Sequence, residues 1–119
     1  MNPPARRVAV TSRDGVAVNE RFHRARDYFI FEAAGQGLRF VERRERPDPD
    51  RPLRKDLDPV LDLLADCDTV VSLGFHGAAR KALIGRGFAV VERRGTVEEL
   101  AGDILSPDRS GAETKGPMA

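Results

Sequence analysis

Apolar positions along this chain follow two rhythms. Short runs rich in branched and aromatic side chains predict strands: Val8-Ala9-Val10-Thr11-Ser12, Tyr28-Phe29-Ile30-Phe31-Glu32, Leu38-Arg39-Phe40-Val41-Glu42-Arg43, Thr69-Val70-Val71-Ser72-Leu73 and Phe88-Ala89-Val90-Val91-Glu92. The charged outer part of the third run suits an edge strand protected from pairing with other chains. Three other stretches carry apolar residues three and four apart, the spacing of one helix face. The first groups Leu57, Val60, Leu61 and Leu64, with Asp58 as its cap and Pro59 in its first position. The second groups Ala78, Ala79, Ala82 and Leu83, and Gly85 or Gly87 can end it. The third groups Val97, Leu100, Ala101 and Ile104 behind the capping box Thr96-Val97-Glu98-Glu99 and runs to Leu105.

Between these elements the chain is punctuated by turn residues. Arg13-Asp14-Gly15 is a turn, and Ala34-Gly35-Gln36-Gly37 is a hairpin connection. Residues 47–52 form a proline-rich loop. The order is β-β-β-α-β-α-β-α, without an internal repeat. Strands followed by alternating helices and strands predict an α/β domain with a mixed five-stranded sheet, antiparallel at its start and parallel afterwards. Right-handed crossovers place the first strand centrally, between the second and the fourth. Residues 1–6 then form an extension, 7–105 the domain, and 106–119 a small, polar, disordered tail.

Composition narrows the function. The 119 residues carry 20 basic and 19 acidic side chains, a formal charge of +1. That balance argues against a dedicated nucleic-acid binder. Seventeen of the cations are Arg, an excess that base composition of the source genome also explains. The single cysteine, Cys67, precludes an internal disulfide and any paired-cysteine zinc motif. It reads as a small buried hydrophobe at the far end of the sheet from the candidate site. No apolar leader and no bilayer-length segment is present, so the expected setting is the cytoplasm, without a membrane partner.

Candidate chemistry lies with the only two histidines. His23 follows the first strand, in Val18-Asn19-Glu20-Arg21-Phe22-His23-Arg24-Ala25, and His76 follows the fourth, in Gly74-Phe75-His76-Gly77-Ala78-Ala79. Loops leaving the carboxyl ends of adjacent parallel strands rim one crevice where strand order reverses. Imidazole suits transition metals. Arg21 and Arg24 can pair with an anion, and the second helix points its free N–H groups to the same place. Gly74 and Gly77 let backbone approach a bulky guest. Against this stands the plain reading of two unrelated surface histidines in polar loops. Nuclease chemistry is not expected, since no carboxylates converge on the central strand, and no serine or cysteine triad can be assembled.

These segments, with Leu63-Leu64-Ala65-Asp66-Cys67-Asp68-Thr69-Val70-Val71, Gly74 through Gly87 and Gly95-Thr96-Val97-Glu98-Glu99-Leu100, occur in an order and spacing that carry a resemblance. Over Arg7 to Leu105 the chain resembles the dinitrogenase iron–molybdenum cofactor biosynthesis domain of the NifX, NifY and NifB carboxy-terminal type. The resemblance implies a three-layer fold similar to ribonuclease H. It implies a binding or carrier protein, not an enzyme, for an iron–molybdenum or iron–sulfur cluster or its precursor, as monomer or weak dimer. Partners would be a nitrogenase component or cofactor-assembly proteins. The family loop usually reads His-Phe-Gly-x-Ala, its His a favoured ligand. Here Arg21 stands at the His position and His23 at the Gly position. Either His23 ligates from two positions later, or cluster binding is lost. The site so implied comprises His23 and His76 as metal ligands, with Arg21, Phe22, Arg24, Gly74 and Gly77 around the guest. The alternative is a cluster-free interaction module of the same fold that docks on a nitrogenase or other metalloprotein component.

Overall fold

The apolar runs pair into one mixed sheet whose centre is the first of them. The computed structural model describes residues 6–34, 37–48, 50 and 52–105, without the side chains of 54–56 and 102–105. In chain order the elements are β1 (Arg7–Thr11), β2 (Ala17–Val18), a 3₁₀ turn (Phe22–Arg24), β3 (Asp27–Ala34), β4 (Gly37–Glu45), α1 (Leu53–Leu63), β5 (Thr69–Ser72), α2 (Gly77–Gly85), β6 (Ala89–Glu92), β7 (Gly95–Thr96) and α3 (Val97–Leu105). The large sheet runs β4-β3-β1-β5-β6. β1 is antiparallel to β3 and parallel to β5, with Ala9 opposite Ile30 on one side and Val70 on the other. β4 is one edge, as its charge pattern predicts. The expected extension (but for Arg6), the tail, the hairpin residues Gly35 and Gln36, and the Ile104 side chain lie outside the described residues.

Alternation of side chains along the strands divides the core in two. Ala9, Ile30, Val70 and Val90 face Val60, Leu61 and Leu64 of the α1 segment and Ala79 and Leu83 of α2. Val8, Val10, Phe31 and Val71 face Val18 and, from α3, Val97 and Leu100. Helices therefore cover both faces, giving three layers. Two expected devices are present. The Thr96 N–H donates to Glu99 Oε1 at 2.9 Å and the Glu99 N–H to Thr96 Oγ1 at 3.1 Å, closing the capping box. Gly87, at φ +92°, follows α2 in the left-handed region while the Phe88 N–H donates to Leu83 O.

Two expectations need correction, and two small elements come in addition. α1 begins at Leu53, with Pro52 as its cap, and Pro59 lies inside it. The apolar stripe explains this: Leu53 is buried and extends the spacing of Leu57, Leu61 and Leu64 upstream by a turn, so packing overrides the break proline favours. Ala78 is exposed, off the buried face that Ala79 and Leu83 share. The small β2–β7 ribbon and the 3₁₀ turn carry no periodic signal in the sequence, being two or three residues long.

Candidate functional site

The carboxyl ends of β1 and β5 are tied to the two histidine loops by buried hydroxyls. Thr11 Oγ1 donates to Glu20 O at 2.7 Å, and Ser72 Oγ lies 3.1 Å from both Glu20 O and Gly74 O. Both side chains are buried, so each hydroxyl needs a partner and the loop carbonyls supply it. The loops are also bonded directly. The Phe22 N–H donates to Gly74 O at 3.0 Å and the Leu73 N–H to Glu20 O at 3.3 Å. The Phe22 ring is fully buried, 6.0 Å from Tyr28 and 5.3 Å from Phe75 between centroids. It anchors the 3₁₀ turn on the core and thereby fixes its neighbour, His23.

His76 is held from the other side as the cap of α2, its Nδ1 accepting the Ala79 N–H at 3.3 Å. The two imidazoles end up with ring centroids 5.7 Å apart, tilted by 58°. They share a cavity of about 430 Å³ with Pro52, Leu53 and Ala78. That size falls within the roughly 300–1,000 Å³ common for small-molecule sites. Pro52 and Leu53 start α1, and His76 and Ala78 start α2, so two helix amino termini border one cavity. No side chain caps α1 at Pro52. The helix dipoles favour an anion there.

His23 is partly enclosed, and its Nδ1 is buried with no hydrogen-bond partner. Burial pushes its pKa below the ordinary value, helped by His76, Arg24 and Arg21 and opposed by Glu20. The shift favours the neutral imidazole, the form that ligates metal. Behind it, the buried Arg46 reaches His23 O with its guanidinium at 3.5 Å. Arg46 had no signal in the sequence; it sits in an acidic and basic run that reads as solvated strand and loop.

The other residues singled out from the sequence surround this cavity rather than wall it. The Arg21 guanidinium lies over Gly74, where a Cβ would come within 3.2 Å of it. Arg24 is exposed, and Gly77 is an exposed first residue of α2 with open space where a Cβ would stand. Cys67 is buried at the amino end of β5, where the adjacent Asp68 N–H donates to Arg7 O, and its thiol is pushed up to about 12 by burial first and Asp66 second. Asp66 there pairs with Arg7 and Arg44 at 2.6 Å each. Among the described residues no three His, Cys, Asp or Glu side chains converge to hold a metal ion. Sequence reasoning missed Pro52 and Leu53 as walls because it started α1 at Asp58, a turn and a half too late.

No curated protein sequence is similar enough to count as a match. Among solved structures, the crystal structure of PH0822 is similar at a TM-score of 0.64 and 20% identity, over 90% of this chain and 92% of that one. A protein provisionally assigned as a dinitrogenase, from Methanocaldococcus jannaschii, is similar at 0.59 and 7% identity, over 90% and 93%. A provisionally assigned NifB protein from Thermotoga, placed in the DUF35 family, is similar at 0.53 and 21% identity, over 87% and 90%. At such identities these likenesses show the fold. The family model described as dinitrogenase iron-molybdenum cofactor matches residues 5–106. With that match spanning nearly the whole chain, the protein belongs to the dinitrogenase iron-molybdenum cofactor family.

Proposed function

We propose that this chain is a carrier, not a catalyst, for an anionic iron–molybdenum or iron–sulfur cluster or its precursor. It would receive the cluster from one assembly protein and release it to another or to a nitrogenase component. Family membership links the chain to that cofactor. The observation that carries the reading is the pairing of His23 and His76 across one cavity at the carboxyl end of the central strands. Imidazole nitrogen is a suitable ligand for iron. The helix amino termini supply positive potential at the cavity. Arg21 and Arg24 add exposed positive charge outside the cavity. Two protein ligands at most leave much of a cluster's surface free for the next protein, which suits a cargo that must be handed on.

The test is anaerobic incubation with isolated iron–molybdenum cofactor, gel filtration, and iron and molybdenum counted per chain. Parent protein should retain metal, and the double variant His23→Ala/His76→Ala should retain at least about tenfold less. Equal retention by the two proteins contradicts the reading. The absence of a third ligand among the described residues favours a second one, a cluster-free docking module. In that case the metal-free chain alone would form a stable complex with a nitrogenase component.

A further inference from the structure

The two imidazoles of the cavity are not equivalent. His76 Nδ1 accepts the Ala79 N–H, so it carries a lone pair, and the neutral ring must hold its proton on Nε2. Nε2 lies across the ring from the cap, and His76 walls the cavity. For Nε2 to ligate a metal, the proton would have to move to Nδ1, where two N–H groups would face each other and the cap would be lost. His23 is under no such constraint. Its Nδ1 neither donates nor accepts, so placing the proton there breaks no hydrogen bond and leaves the Nε2 lone pair to a metal.

We propose that the cavity reads its guest asymmetrically: His23 supplies the metal-ligating nitrogen, and His76 supplies an N–H that donates to a sulfide or oxygen acceptor on the same guest. This rests on the carrier reading above and sharpens it. The guest must present an open metal position and an anionic acceptor within the span of two rings 5.7 Å apart. A bare cation satisfies only His23, and a closed-shell anion satisfies only His76. A metal–sulfur cluster satisfies both. The cap that starts α2 is thus also the device that fixes which edge of His76 meets the guest.

Nitrogen-15 NMR of the metal-free parent reads the tautomers directly. His76 should show a protonated Nε2 and a bare Nδ1; the reverse overturns the proposal without touching the carrier reading. Two probes then separate the roles, aqueous cobalt(II) and tetrathiomolybdate, both under anaerobic conditions. His23→Gln should weaken cobalt binding about tenfold or more and exceed its effect on tetrathiomolybdate. His76→Asn, which keeps a good helix cap, should show the opposite order, with about a tenfold loss on tetrathiomolybdate. Equal losses from both variants on both probes would mean two equivalent ligands and overturn the asymmetry. No loss from either variant on either probe would remove the cavity from binding, and the carrier reading with it.

Discussion

Burial lowers the pKa of His23. Its folded pKa lies below the unfolded value of 6.5, so between those two values the unfolded chain binds more protons. The stability His23 contributes is complete above 6.5 and is lost as pH falls from there through the lowered folded value. A proton NMR titration should place its midpoint below 6.5, and His23→Gln should flatten that part of the stability profile; a midpoint above 6.5 contradicts the enclosure. Cys67 makes a second prediction. With its thiol pushed up to about 12, it should react with Ellman's reagent only after denaturation. Rapid labelling of native protein would show an open far end of the sheet. Gly15 makes a third. At φ +77°, a Cβ there would meet the Phe29 ring at 2.7 Å. Gly15→Ala should therefore cost about 1–3 kcal/mol by denaturant unfolding. At this scale the histidines were legible because only two exist and both follow strands. Arg46 was not, because a buried cation looks like a solvated one until its partners are placed.

Elements were legible wherever the signal was local. The capping box Thr96–Glu99 and the terminating Gly87 depend only on neighbours within a turn, and both formed as read. Thr96→Ala should accordingly cost about 1 kcal/mol, measured by thermal unfolding. The start of α1 depended instead on tertiary packing. Leu53 lies six residues before Pro59, and burying it against the sheet outweighs the proline's missing N–H. Pro59→Ala should restore a donor for the carbonyl of residue 55 and raise stability by roughly 1–3 kcal/mol. A neutral or destabilising result would mean that the helix is already bent to accommodate the ring. The two-residue strands of the β2–β7 ribbon were illegible for a different reason. They are held by pairing across nearly eighty residues, which no local pattern encodes.

For the whole molecule, strand order does the assembling. Parallel pairing of β1 with β5 puts their carboxyl ends side by side, and the buried hydroxyls of Thr11 and Ser72 hold the two loops there. The crossovers before and after β5 bring the amino termini of α1 and α2 to the same end. Cys67 and the Asp66 ion pairs are left at the other. Charge outside the cavity should act at longer range than the histidines. Arg21→Ala and Arg24→Ala should weaken cluster retention at low salt, with the effect shrinking as ionic strength rises past about 0.15 M; a salt-independent loss would mean a direct bond instead. The central claim is where the guest sits. A loaded paramagnetic cluster broadens nearby resonances, so the most direct measurement is an anaerobic NMR comparison of the chain before and after loading with isolated iron–molybdenum cofactor. Broadening should centre on His23, Leu53, His76 and Ala78 and spare the residues around Cys67. Broadening centred on Cys67 and Asp66, with the histidine loops unaffected, would contradict the site.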